Sequence, residues 1–274
     1  MVNFFYLDKN PKKCAKFYCN KHVNKIMIEI LQILSYIFHD EGIITPPYKK
    51  TKVINKNLAP YIWAKTSISN YKYCVELADE LCKEYKFRYE KSTHACECAI
   101  NWFKNNIPKN IKKKGRTKFL FTENVKSYGK YLKDPIEASK YIYVDYKCKN
   151  DNWGKRGEPV WWNKYKEESD KNKKNLIEKI NKNVREKLPE FSKKHNLKTR
   201  RFHSFLRICY DNTFGGKWDN VIKTMPKMFN PKKPLISQLG YGHLLEVYDI
   251  SESLFNLKTF HKLNNNSLRF RNKL

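Results

Sequence analysis

Between Cys19 and Ser35 the chain reads CNKHVNKIMIEILQILS. On a helix of 3.6 residues per turn, Val23, Ile26, Met27, Ile30, Ile33 and Leu34 cover most of the circumference, and Lys21, Lys25, Glu29 and Gln32 form one polar file. A helix that is apolar over so much of its surface must be enclosed by other elements. The stretch therefore predicts a buried helix, wet along a single strip.

The neighbouring sequence supplies helices to enclose it. VNFFYL reads as a short strand or extended arm ending in the turn DKNPKK. A helix begins near Pro11, whose fixed φ suits a first turn, and runs toward Phe38 with a break near Cys19 or Asn20. After a loop containing Gly42, Pro46 and Pro47, a second long helical region starts beyond Asn57 with Pro60 in its first turn. HACECAINWFKNN gives a short helix, and DPIEASKYIYVDYKC gives another with Asp134 as N-cap and Pro135 at the first position. From about residue 164 the composition shifts to a highly charged, sparsely apolar stretch, a solvent-exposed helix or a linker. The fold expected is mainly α: a bundle-like helical domain over residues 1–163 with a short N-terminal strand, then a basic, lysine-rich helical extension over 164–274.

Charge narrows the function. The chain carries 56 Lys+Arg against 27 Asp+Glu, a net +29. Residues 1–163 hold 31 basic and 16 acidic side chains and residues 164–274 hold 25 and 11, so the excess is not one basic tail. Codon bias can raise lysine but does not explain the shortage of acids. With 15% aromatics interleaved among the cations, a nucleic-acid surface is favoured over a membrane-surface patch. No leader-like segment and no spanning run is seen, and eight cysteines in such a chain read as reduced thiols or metal ligands of a reducing, intracellular compartment.

Four groups of residues carry the candidate chemistry. Lys21, Lys25 and Glu29 share a narrow face with His22, and the ordinary reading is a solvated i,i+4 ladder. The sharper reading is a cleft wall, in which a lysine beside another lysine becomes a nucleophile and Glu29 steadies a developing cation. Arg88, Lys91 and His94 at a helix end either complement its negative terminus or bind a phosphate, with His94 supplying acid–base capacity. Lys112, Lys113, Lys114 and Arg116 form a basic loop suited to backbone contact. Arg200, Arg201 and Arg207 alternate with Phe202, Phe205 and Tyr210, which either stack on bases or are core.

CNKHVNKI, followed by NKNLAPYIWAKTSISNYKY, LCKEYKFRYEKSTHAC, DPIEASKYIYVDYK and EPVWW in that order, resembles a group of small tailed-phage proteins with relatives in giant viruses. The group's opening motif has Cys or Asp, Asp, Lys, His or Arg, Val, two residues of which the second is Lys, then Met. Here it stands as Cys19, Asn20, Lys21, His22, Val23, Asn24, Lys25 and Ile26. Some relatives are labelled pyrimidine-dimer glycosylase, so the resemblance implies action on DNA. Asn20 replaces the group's Asp, which weakens a role for a carboxylate there, and residues 164–274 lie outside the resemblance.

Other chemistries lack their signatures: GxxxxGK[ST], GxGxxG and GxSxG are missing, as is the deaminase pattern of HxE with PCxxC. Neither Cys14, Cys19 and His22 nor His94, Cys96 and Cys98 follow a paired zinc-ligand spacing, so no metal and no cofactor is expected. The function expected is action on nucleic acid, DNA before RNA, as a base-excision glycosylase/lyase using Lys21 or Lys25 with Glu29 and His94 in support. The alternatives are a non-catalytic DNA- or RNA-binding protein, with His22, Arg88, Lys91 and the basic loop among its contacts, and a virion or packaging protein that neutralises genome charge.

Overall fold

The long apolar helix finds partners on its dry sides. The computed structural model describes residues 4–42, 45–48, 56–122, 128, 131–148, 151–197, 202–214 and 233–271. Its contacts divide the chain into two compact units, Met1–Tyr165 and Lys166–Leu274. Ten α-helices and no strand occur among the described residues.

In the first unit, α1 (Pro11–Phe17) and α2 (Asn20–Glu41) are separated by two extended residues, Tyr18 and Cys19. Asn10 caps α1 by accepting from the Lys13 N–H at 3.0 Å, and Pro11 takes the first position, where no N–H is needed. Gly42 ends α2 in the left-handed region at φ 68°, open to glycine without strain. The second helical region is two helices, α3 (Ala59–Thr66) and α4 (Ile68–Tyr89). Ser67 is extended between them, and its hydroxyl accepts from the Asn70 N–H at 3.1 Å. α4 packs against α1, α2, α3 and α5 (Glu97–Asn105). The core of this unit joins Ile26, Met27, Ile30 and Leu34 of α2 to Cys74, Leu77, Ala78 and Leu81 of α4, all buried.

Phe4–Leu7, where the sequence suggests a short strand, is buried extended chain with no ladder among the described residues. Its polar groups turn to side chains instead: the Phe5 N–H donates to the Tyr18 hydroxyl at 3.1 Å, and that hydroxyl donates back to the Phe5 carbonyl. Tyr6 stacks on Phe119 at 4.1 Å beside Trp63. Later in the unit, α6 (Pro135–Ile142) is entered by Asp134, whose carboxylate accepts from the Ile136 N–H at 2.9 Å, and runs into a π-helical turn, Tyr143–Lys147. Trp161, Trp162 and Tyr165, at the start of α7 (Trp162–Lys194), pack on Phe17, Trp153 and Tyr141.

The second unit contains most of α7 with α8 (Phe202–Thr213), α9 (Tyr241–Ser253) and α10 (Leu257–Arg271). α8 lies against α9 and α10 around Phe205, Leu206, Cys209, Leu244 and Phe260. No helix among the described residues is long and apolar enough to cross a membrane.

Candidate functional site: the amino end of the buried helix

Every group at the start of α2 is fixed from behind. The α1 C-terminus leaves carbonyls that no helix bond satisfies. Arg88 donates to the Lys16 carbonyl at 3.0 Å and to the Tyr18 carbonyl at 2.7 Å, while the Trp153 indole N–H donates to the Phe17 carbonyl at 2.8 Å. Arg88 is 6% exposed and pairs with Glu84 at 3.1 Å, and Glu84 also takes two bonds from Arg156, at 2.9 and 2.6 Å. The expectation that Arg88 grips phosphate is corrected: its guanidinium is committed to holding the α1–α2 corner.

A loop from the far end of the unit closes over this corner. The Asn20 N–H donates to the Asn152 carbonyl at 2.8 Å, and the Lys21 N–H donates to Asp151 Oδ2 at 3.0 Å. The Asn152 side chain accepts from both Asn20 Nδ2 at 3.1 Å and the Gly154 N–H at 2.9 Å. Gly154 is required here, since its φ is +52° and a Cβ would lie 2.9 Å from Asn20 Nδ2. The loop thereby carries Cys148 and Asp151 to Cys19, and the ligand atoms of these three residues all lie within 4.8 Å of one another.

Beneath them His22 is buried. Its Nδ1 is 3.3 Å from the Cys19 sulfur and 2.5 Å from the Tyr143 hydroxyl, which the π-helical turn presents. Burial, reinforced by Lys21, Lys25 and Lys147, lowers the His22 pKa to about 3, so the ring is neutral at pH 7. It is a core group and not the phosphate contact the sequence suggested.

The polar file faces outward beside this core. Lys25 is 63% exposed and Glu29 12%, with Nζ 3.9 Å from Oε1. Lys21 is exposed as well. Lys147 joins them from the π-helical turn, half-buried with its ammonium 5.8 Å from the Phe5 ring centre. Burial lowers its pKa, the charges of Lys25 and Lys21 lower it further, and Glu29 opposes them. Asp151 behaves in the opposite sense: burial pushes it up, yet bonds from the Cys19 thiol and the Lys21 and Asn152 N–H groups hold its carboxyl below the ordinary range.

His94 stands at the edge of this face. Its Nε2 is 3.1 Å from Asn24 Oδ1, its Nδ1 accepts from the Cys96 N–H at 3.0 Å, and Tyr85 packs on the ring. Asn24 and Glu29 are five positions apart on α2, roughly 140° around the axis, so His94 stands on another flank from Glu29. Lys21 is only three positions from Asn24, so of the catalytic set the sequence suggests it is Glu29 that His94 is kept apart from.

The remaining candidates scatter. Lys91, Lys112, Lys113 and Lys114 are exposed. Arg116 lies over the Tyr73 and Phe119 rings at 5.5 and 6.0 Å and donates to the Lys9 carbonyl. It lines a groove of about 650 Å³ with Lys9, Lys118, Phe121 and Lys133. In the second unit Arg207 pairs with buried Asp211 at 3.0 Å, and Phe205 and Tyr210 are core. Arg200 and Arg201 lie outside the described residues.

Lys147, Tyr143, Cys148 and Asp151 are the members that sequence reasoning misses. One signal was available for two of them: Cys148-x2-Asp151 repeats the interval of Cys19-x2-His22. Chemically the site combines an anion-attracting rim of three lysines with an inner set of thiols, carboxylate and imidazole. Comparisons with protein-family models, curated protein sequences and solved structures give no match to this chain.

Proposed function

We propose that the protein acts on nucleic acid through the lysine face of α2, with Lys21, Lys25 and Lys147 holding the phosphate backbone. The observation that carries this reading is the convergence of three cations from two elements more than a hundred residues apart, at a place where Lys25 and Lys21 add to the cost of charge on half-buried Lys147. Repulsion of this kind, which Glu29 offsets only in part, is relieved when an anion binds. The net charge of +29 and the basic, aromatic groove around Arg116 favour an extended polyanion over a single small anion.

The test is the salt dependence of affinity for a mixed-sequence DNA oligonucleotide. Each lysine that neutralises a phosphate contributes about one unit to the slope of log affinity against log salt, so Lys25→Ala should flatten the slope by about that amount. An affinity that does not change with salt would remove the proposal.

A second reading, lyase action on abasic DNA, is favoured by the half-buried placement of Lys147 against Phe5, with Glu29 on the same face. The amine would add to the sugar aldehyde and expel water to give an imine, after which loss of a C2′ proton and cleavage of the 3′ C–O bond release the phosphate. Borohydride reduces such an imine to a stable amine link. A trapped adduct that Lys147→Ala abolishes supports the lyase. Absence of any adduct, with the salt slope intact, leaves binding alone.

A further inference from the structure

We infer that Cys19, Cys148 and Asp151 form a site for a thiophilic divalent metal ion, Zn2+ by its ligand chemistry, with the His22 imidazole, 3.3 Å from the Cys19 sulfur, as the candidate fourth donor. This goes beyond nucleic-acid binding and does not depend on it.

The geometry comes first. Ligand atoms bound to one tetrahedral zinc at about 2.0–2.3 Å stand roughly 3.3–3.8 Å apart. The two sulfurs and the carboxylate already lie within 4.8 Å of one another, so a small contraction completes the set. His22 Nδ1 is 3.3 Å from the Cys19 sulfur, within that interval. To serve as a ligand through Nδ1 it must give up its contact with the Tyr143 hydroxyl oxygen, 2.5 Å away, which takes a shift of the imidazole or of the Tyr143 side chain.

The arrangement of the chain agrees. The donors come as two pairs at the same interval, Cys19-x2-His22 and Cys148-x2-Asp151, the first at the amino end of α2 and the second from the loop closing over it. Short paired intervals on two separate segments are how structural zinc sites join distant parts of a chain. The sequence expectation of no metal sets Cys14, Cys19 and His22 against His94, Cys96 and Cys98, and so pairs the first half of the site with the wrong partner.

The surroundings supply what an outer shell requires. The Lys21 N–H holds Asp151 Oδ2 at 3.0 Å, and Asn20 and Asn152 lock the two segments together on either side. Two thiolates and a carboxylate with Zn2+ carry a net charge of −1, which Lys21, Lys25 and Lys147 offset. Among the described residues no other three His, Cys, Asp or Glu side chains are so gathered. A buried cysteine is by default an inert apolar group. Here the Cys19 thiol donates to the Asp151 carboxylate instead, a polar contact that a metal would replace.

The experiment uses the full chain purified without chelator. Elemental analysis should find one zinc per chain, and exchange for Co2+ should give thiolate-to-cobalt charge-transfer absorption. Cys148→Ser should abolish the stoichiometric metal and Asp151→Asn should weaken its retention at least about 10-fold, while replacement of the exposed Cys98 should change neither. Should the Cys148 variant fail to fold, protection of Cys19 and Cys148 from alkylation by added Zn2+ in the unaltered protein gives the same answer. Background zinc with no cobalt–thiolate band, full metal content in a folded Cys148→Ser protein, or a Cys19–Cys148 disulfide in freshly isolated protein would each overturn the inference.

Discussion

Single side chains show where the sequence is readable and where it stops. The file Lys21, Lys25, Glu29 is legible because i,i+4 geometry is local and every residue needed to see it lies within one stretch. Lys147 and Asp151 reach the same place through a chain reversal that no local pattern encodes. His22 reads as a phosphate contact beside two lysines, and only the packing of Phe5 and Tyr143 around it makes it a core group. Asp40, near the other end of α2, is a case whose chemistry can be measured. Hydrogen bonds from Lys56 and Lys65, and from Tyr61 at 2.8 Å, hold its carboxyl well below the ordinary range. A carboxyl depressed on folding adds stability that is present above its unfolded pKa, about 3.9, and is lost as pH falls through the lower folded value. Asp40→Asn should therefore cost about 1 kcal/mol at pH 7 by urea unfolding, discounted for its partly exposed partners, and the cost should shrink below about pH 4. A cost that stays constant from pH 7 to pH 2 would mean that the carboxylate charge is not what Asp40 contributes.

Helices are written in the sequence mainly at their ends. Pro11, Gly42 and the Asp134–Pro135 pair each mark a boundary by a backbone restriction that acts within one turn, and those boundaries are found. Ser67 is not read, because one serine among Thr66, Ser69 and Asn70 looks like a tolerated helical residue until the chain turns there and its hydroxyl becomes a cap. The N-terminal strand fails for a different reason: a short apolar run ending in a turn predicts extended chain, but a strand also needs a neighbour, and here side chains take that role. Arg88 links three elements, since it sits on α4, closes the end of α1 and touches the first residue of α2. Removing it strands buried carbonyls and leaves Glu84 with Arg156 alone. Arg88→Ala should lower unfolding free energy by about 3 kcal/mol. Lysine, lacking the planar fork, should restore little of that loss. Full stability in the lysine variant would show that charge and not geometry is the requirement.

Across the whole chain the dominant fact is that like charges are held together by apolar contacts. With 56 basic side chains against 27 acidic ones, compaction works against self-repulsion in each unit. Screening should relieve it. Raising sodium chloride from about 20 mM to about 300 mM shortens the Debye length from roughly 20 Å to roughly 6 Å, so the thermal midpoint should rise. A midpoint that falls with salt would assign more weight to ion pairs such as Lys83 with Asp79 and Glu80 than to net repulsion.

The buried arm Phe4–Leu7 has a consequence in time. Phe5 rests on Tyr143 and Tyr6 on Phe119, so the arm's seat is built from residues synthesised more than a hundred positions later. At ordinary translation speeds that interval is on the order of ten seconds. During it, four consecutive apolar residues that end buried in the finished protein lack these partners, a binding stretch for a holdase at the ribosome exit. The α1 and α2 segments can form as they emerge, but their corner stays open until the chain has passed Trp153 and Arg156. The last part of this unit to be made is thus what lets its first part fold.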